Sequence, residues 1–173
     1  EASGDFLIFL DQDVVLPNDF IEKFYNNRKE KLMLCTKAIF TEEEQKKLIQ
    51  KDIEEKQSIN FNEIYCKYIT SEQKEEVQKN IKKDVLYKYL YRVKLRSRGI
   101  KIAGLIFALY KKDFIEINGF DEKYVGWGEE DDDFGNRFFK YGGEVESIKF
   151  ITDGKWDWEH GLGHYKRVSK YVE

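Results

Sequence analysis

The fold is decided by the stretch FLIFLDQD, residues 6–13, in which five apolar residues are followed directly by Asp11, Gln12 and Asp13. A short continuous apolar run is typical of a strand that is covered on both faces, as in the centre of a parallel sheet. In open α/β sheets, ligands bind at the carboxyl ends of the strands. The sequence therefore predicts an α/β fold with a candidate site directly after residue 10.

Composition narrows the class of protein. The chain has 173 residues, the length of one domain with a single core, and a formal net charge of -3. A dedicated nucleic-acid binder is usually strongly basic, so we expect no nucleic-acid partner. No apolar run approaches the roughly 18 to 20 residues of a membrane helix, and the first residues lack the pattern of a signal peptide. Cys35 and Cys66 have no disulfide-framework spacing, which predicts reduced thiols in a cytoplasmic protein. A cytoplasmic protein bound at the inner face of the membrane is the alternative location.

Apolar periodicity and helix-capping residues divide the chain into elements. We expect one domain over 1–173 that contains a helical, charge-rich insertion over 41–98. Outside the insertion the patterns predict, after the first strand, a helix beginning near 16–19, a strand over 32–38, a strand over 104–110, a helix over 112–117, a helix over 130–141 and a strand over 145–150.

The insertion carries two pairs at capping-box spacing, Thr41 with Glu44 and Thr70 with Gln73, and each predicts a helix start. The second helix has apolar residues spaced by four, which predicts one packed face: Val77, Ile81, Val85, Tyr89 and Val93. Residues 82–98 hold seven basic residues and one acid among tyrosines. This stretch is interpreted as a solvated helix face, and the alternative is a surface for an anionic acceptor or for peripheral contact with membrane headgroups.

Three motifs carry candidate chemistry. The carboxylates of Asp11 and Asp13 offer hard oxygen ligands to Mg²⁺ or Mn²⁺, although this spacing also occurs in ordinary solvated turns. The second motif is GWG followed by five consecutive acids, residues 126–133, where Trp127 offers a flat apolar face to a sugar ring. A helix N-terminus accounts for one or two of these acids, and five predict a bound cation or a hydroxyl-rich ligand.

The third motif, residues 156–165, contains both histidines of the chain, His160 and His164. Imidazole is a common metal ligand, and neighbouring carboxylates fix its tautomer. For either histidine taken alone, a surface or capping role is the alternative.

Together, the Asp11-Gln12-Asp13 motif, GFDE at 119–122, GWGEEDDDFGNRF at 126–138 and the downstream His160 resemble the GT-A glycosyltransferases of the family 2 type. The likeness is to bacterial polysaccharide and chondroitin polymerase-like enzymes and to the C-terminal galactosyltransferase domain, over residues 1–40 and 99–165. It implies the C-terminal portion of a GT-A fold, which is Rossmann-like and typical of nucleotide-diphospho-sugar transferases. It also implies a metal-dependent, inverting transfer of sugar from a UDP-sugar to a saccharide acceptor hydroxyl, in surface polysaccharide synthesis, with a lipid-linked acceptor as one form of that substrate.

The resemblance also implies roles for single residues. Asp11 would contact the ribose and the metal region, and Asp13 would bind Mn²⁺ or Mg²⁺ together with His160, for which His164 is the alternative. Asp131 would be the catalytic base, and the acceptor would be bound by Trp127, Gly128 and Glu130. Glu129 departs from the family pattern, which commonly has Gly there.

The family's nucleotide-binding strands would lie before Glu1, so we expect this sequence to be part of a longer enzyme. The strand at 6–10 would then have one unpaired side, and the piece alone would bind nucleotide poorly and self-associate. Two other classes compete with a transferase. One is a non-catalytic Ca²⁺ or carbohydrate-binding module, or an inactive fragment. The other is a two-metal phosphoryl or nucleotidyl transferase, which the lack of a Gly-rich Lys/Ser loop disfavours.

Overall fold

The computed structural model describes residues 2–102, 106–124 and 129–150, and these ranges form a mixed α/β fold. The elements of these ranges, in chain order, are β1 (Phe6–Leu10), α1 (Phe20–Asn26), β2 (Leu32–Cys35), α2 (Glu43–Lys56), α3 (Phe61–Tyr68), α4 (Ser71–Arg92), β3 (Ile106–Tyr110), α5 (Lys111–Glu116), α6 (Glu130–Lys140) and β4 (Glu144–Ser147). Among the described helices, none has both the length and the apolar character needed to span a membrane.

The four strands form one sheet in the order β1-β3-β2-β4. Strand β3 is antiparallel to both β1 and β2, and β2 is parallel to β4. Strands β1, β2 and β4 therefore run in one direction, and their carboxyl ends lie at the same edge of the sheet. We call this edge the carboxyl edge. The Asp11–Asp13 turn, the chain after Cys35 and the chain after Ser147 all begin there.

The expectation that Phe6–Leu10 pairs as in a parallel sheet is wrong for the described sheet, because β1 pairs antiparallel with β3, with Phe6 opposite Tyr110 and Leu10 opposite Ile106. Strand β1 lies at the end of this sheet, which agrees with the expectation that one of its sides is unpaired within these residues. The apolar run reflects cover on both faces of the sheet, because the side chains of Phe6 and Phe9 pack into the two opposite layers. Cover on both faces does not specify which strands lie alongside.

Helices cover both faces of the sheet. Helix α1 places Phe20 and Phe24 against Leu34 and Ala108 on one face. On the other face, α6 packs its phenylalanines against the alternate strand residues, and the cluster includes Met33, Cys35, Phe107, Leu109, Phe134 and Phe138. Successive strand residues point to opposite faces, so β1, β2 and β3 contribute to both clusters. Full burial of each such large apolar side chain stabilises the fold by about 1.5–3 kcal/mol.

The packed faces of the helices differ in part from the predicted ones. Phe20 and Phe24 of α1 are buried as the spacing predicts, but Ile21 between them is 57% exposed. In α4, Ile81 is buried, whereas Val85, Tyr89 and Val93 are exposed. A spacing of exactly four residues drifts by about 40° per step around a helix of 3.6 residues per turn, so the predicted stripe rotates away from the core. The inner side of α4 instead includes Ile81, Asp84 and Tyr91.

Two glutamines join the starts of α2 and α4. Thr70 and Gln73 form the predicted capping box, while α2 begins one residue later than predicted, with Glu42 and Gln45 as its box. The two glutamine side chains also pair with each other, since each amide nitrogen donates to the other oxygen at 2.9 and 3.0 Å. The remaining amide protons reach the carbonyls of Tyr68 and Phe40 at 2.8 Å. Every polar atom of this glutamine pair therefore has partners, and the pair fixes α2, α3, α4 and the chain after β2 together.

Ion pairs hold α4 beside β4. Lys88 contacts Glu146 at 2.9 Å, and Arg92 contacts Glu144 at 2.7 Å. Further along α4, the buried Asp84 pairs with Lys37 at 2.9 Å. Burial raises the pKa of Asp84, and the neighbouring Lys37 opposes that shift.

Both cysteines are free thiols, as predicted, but their surroundings differ. Cys35 lies in the core, and burial raises its pKa to about 12, which keeps it protonated at neutral pH. Cys66 is exposed on α3.

Replacing Gln73 by Ala should lower the free energy of unfolding by about 2 kcal/mol, because the substitution removes a helix cap and leaves the amide of Gln45 short of partners. Urea denaturation followed by circular dichroism measures the change. Gln50→Ala is the control, since Gln50 makes one exposed hydrogen bond, to Glu54 within α2. Equal losses in the two variants would contradict the role of the glutamine pair.

Candidate functional site

Asp11, Gln12 and Asp13 form an exposed turn at the carboxyl edge. Strand β1 ends at Leu10, so the two carboxylates leave the sheet where its other parallel strands also end. The exposure of both carboxylates fits a metal and nucleotide site as well as it fits a solvated turn. Within the described ranges, no group of three or more His, Cys, Asp or Glu side chains is placed to hold a metal ion.

The chain after β4 reaches the same edge. Ile148 donates its backbone N–H to the carbonyl of Cys35 at 2.7 Å, and the hydroxyl of Thr36 donates to the carbonyl of Ile148 at 2.9 Å. Phe150 then stacks on Phe20 and Phe24. The predicted ligands His160 and His164 follow but lie outside the described residues. Strands β1 and β4 are three strand spacings apart, about 14 Å, so a metal ion shared by Asp13 and His160 stays a prediction.

The acidic motif forms the first turn of α6. Glu129 precedes it in a left-handed conformation, with φ of 68°. Glu130 and Asp131 are partly buried, and Oε2 of Glu130 is buried without a hydrogen-bond partner among the described residues. Asp131 borders a small recess together with Arg98 and Lys101. The predicted acceptor-binding residues Trp127 and Gly128 lie outside the described part of the chain.

Two of the five consecutive acids are neutralised by the chain itself. Asp132 contacts Lys101 at 2.7 Å and Arg98 at 3.5 Å, and Asp133 accepts a hydrogen bond from Arg137 at 2.7 Å. These internal cations therefore offset part of the repulsion from which we predicted a bound cation or a hydroxyl-rich ligand. The Asp133–Arg137 pair can be recognised in the sequence from its spacing of four. The contacts of Asp132 are long-range and have no sequence signal.

Part of the basic stretch 82–98 is also paired internally. Lys88, Arg92 and Arg98 contact acids of β4 and α6, and Arg96 lies over the ring of Tyr87, 3.8 Å from its centre. These contacts support the interpretation as a structural helix face. Contact with a membrane or an anionic acceptor stays a prediction.

A cavity of about 590 Å³ lies between helices α2, α3 and α4 and the carboxyl edge. Asp13 is on its wall, next to the segment 14–17. Sequence reasoning does not find this cavity. Its apolar residues come from seven separate parts of the chain, and each of them alone resembles an ordinary core residue.

Comparison with known proteins supports one class of activity. Residues 85–161 match the family model described as the N-terminal domain of galactosyltransferase, which is less than half of the chain. This match supports a glycosyltransferase family. The small four-stranded α/β sheet is consistent with such a domain. The matched range includes Glu130, Asp131 and His160, whereas Asp11 and Asp13 lie before it. No curated protein matches the chain significantly.

Arg137 joins α6 to the end of α5, since its guanidinium contacts Asp133 and donates to the carbonyl of Ile117. Arg137→Met should therefore lower the free energy of unfolding by about 1–2 kcal/mol. Lys140→Met in the same helix is the control, because Lys140 is exposed and should change stability by less than about 0.5 kcal/mol. Thermal or urea unfolding compares the two, and an unchanged Arg137 variant would contradict this role.

Proposed function

We propose that this chain carries the acceptor side and the metal-binding side of an inverting glycosyltransferase that moves a sugar from a UDP-sugar to the hydroxyl of a saccharide acceptor, in surface polysaccharide synthesis. The observation that carries the proposal is the family match over residues 85–161, which includes the acidic first turn of α6. The position of Asp11 and Asp13 at the carboxyl edge supports it, because that edge is where α/β folds bind ligands.

On the proposed donor side of the site, the carboxylates of Asp11 and Asp13 are suitable ligands for a hard divalent cation. Mg²⁺ usually binds through one or two carboxylates and takes its other ligands from substrate phosphates and water. The exposed turn at Asp11 and Asp13 offers such carboxylates, and among the residues that the structure describes no complete cage of protein ligands surrounds them. In the proposed site Asp13 and His160 hold Mn²⁺ or Mg²⁺, and Asp11 faces the ribose. The ion would neutralise the charge of the diphosphate leaving group.

On the acceptor side, Asp131 is the proposed general base. It accepts the proton of the acceptor hydroxyl while that oxygen attacks the anomeric carbon, and the bond from this carbon to the diphosphate breaks in the same displacement. One displacement inverts the anomeric centre. A positioned base typically contributes 10²- to 10⁴-fold to the rate. The contacts of Asp132 and Asp133 with Lys101, Arg98 and Arg137 fix the first turn of α6 and so position Asp131, while Trp127, Gly128 and Glu130 would bind the acceptor sugar.

Asp131→Asn in the full enzyme should lower kcat by at least about 100-fold and leave UDP-sugar binding nearly unchanged, because a base acts on the acceptor in the transition state. Steady-state kinetics and a separate donor titration measure the two effects. Glu116→Gln is the control, as Glu116 is an exposed carboxylate at the end of α5. A variant that kept more than a tenth of kcat would exclude Asp131 as the base.

Asp13→Asn in the full enzyme should abolish the thermal stabilisation that UDP and Mn²⁺ produce together, since a ligand stabilises a protein only through its affinity for the folded state. Asp5→Asn is the matched control, because Asp5 is an exposed carboxylate at the other end of β1. Stabilisation by Ca²⁺ alone, with no response to UDP, would instead support the carbohydrate-binding module.

A further inference from the structure

The cavity between the helical segment 43–92, which contains α2, α3 and α4, and the carboxyl edge has the properties of a ligand site. Its volume of about 590 Å³ lies within the roughly 300–1,000 Å³ of small-molecule sites. Its walls are mainly apolar, with Ile49 and Ile53 from α2, Ile64 from α3 and Val77 and Ile81 from α4.

The walls are held in place by polar contacts outside the apolar lining. The glutamine pair joins the starts of α2 and α4 to the chain after β2. Asp52 of α2 contacts Lys67 of α3 at 3.1 Å, and Lys37 contacts Asp84 of α4 at 2.9 Å. The cavity is therefore formed before a ligand binds, which reduces the entropy lost on binding.

The rim of the cavity differs chemically from its interior. Phe40 lines the cavity and is 73% exposed. Asp13, one of the two exposed carboxylates of the proposed donor site, also lines it. The other charged residues of the lining are two acids and four lysines, Glu43, Glu54, Lys37, Lys46, Lys74 and Lys149. Carboxylates accept hydrogen bonds from hydroxyl groups, and ammonium groups donate them. The cavity thus combines an apolar interior with a rim suited to a hydroxyl-rich group.

The size of the cavity decides between an aliphatic chain and a protein helix. A three-turn helix about 10 Å wide and about 16 Å long occupies roughly twice the volume of the cavity. A single hydrocarbon chain fits, and each methylene that it buries can strengthen binding by about fourfold.

We propose that this cavity binds the apolar chain of the acceptor, a saccharide carried on a linear hydrocarbon, with its sugar directed toward Asp13. This inference rests on the proposed transferase function, because it places the acceptor beside the donor site. It adds an apolar anchor for the acceptor, formed by the helical segment 43–92.

The test measures binding of n-alkyl glucosides with six, eight and ten carbons, each below its micelle concentration, to the full protein without UDP or metal. Isothermal titration should show an affinity that rises by about tenfold or more with each pair of methylenes, and glucose alone should bind far more weakly. An affinity independent of chain length would overturn the proposal.

Val77→Phe fills the cavity and should weaken octyl glucoside binding at least tenfold. Val85→Phe is the matched control, since Val85 is on the same helix but 57% exposed and outside the cavity lining. If Val77→Phe fails to fold, Ile53→Gln replaces it, with Leu48→Gln, at an exposed position of α2, as its control. Equal weakening in a cavity variant and its control would overturn the proposal.

Two further readouts separate this inference from the proposed function. Glucoside binding without any response to UDP and Mn²⁺ would keep the apolar site and reject the transferase. A response to UDP and Mn²⁺ without glucoside binding would keep the transferase and reject the apolar site. Gel filtration tests a second copy of the chain as the occupant: a dimer that Val77→Phe dissociates, with no glucoside binding, would overturn the acceptor site.

Discussion

Strand β3 is hydrogen-bonded to a neighbouring strand on each side, to β1 along its whole length and to β2 through Ala108 and Phe107. Its side chains alternate between the two apolar clusters, with Ala108 in one and Phe107 and Leu109 in the other. Strand β3 therefore packs against both helical layers. Because β3 runs against both neighbours, it also sets β1 and β2 in the same direction and so creates the shared carboxyl edge.

Local patterns in the sequence predict the elements well because they depend on burial and capping within short segments. Residues 6–10 form a strand, 130–140 form a helix with Phe134 and Phe138 buried, and Thr70 begins a helix with Gln73 as its partner. Strand order is not encoded in this way. An apolar pentapeptide predicts cover above and below the sheet but does not specify the neighbouring strands, and for this reason the antiparallel pairing of β1 with β3 was not predicted.

The candidate site shows the same limit. The acidic turn before Phe134 is evident in the sequence, and a role in chemistry is a reasonable hypothesis for it. The sequence does not show that Lys101 and Arg98, from the segment before β3, neutralise Asp132. The formal charge of a motif can therefore be counted from the sequence. Its net charge in the folded protein depends on side chains from distant segments that the fold places beside it. The apolar cavity is a further case, since no single segment contains it.

The pairing of Phe6 with Tyr110 has a consequence for the synthesis of the protein. At a translation rate of roughly 5–20 residues per second, β3 leaves the ribosome on the order of 5 to 20 seconds after β1. Between them, α2 contacts α3, and the glutamine pair joins α2 to α4. Long-range strand pairing is slow to form, and local helical contacts are fast. The helical segment can thus acquire structure first and shorten the effective distance over which β1 and β3 must meet.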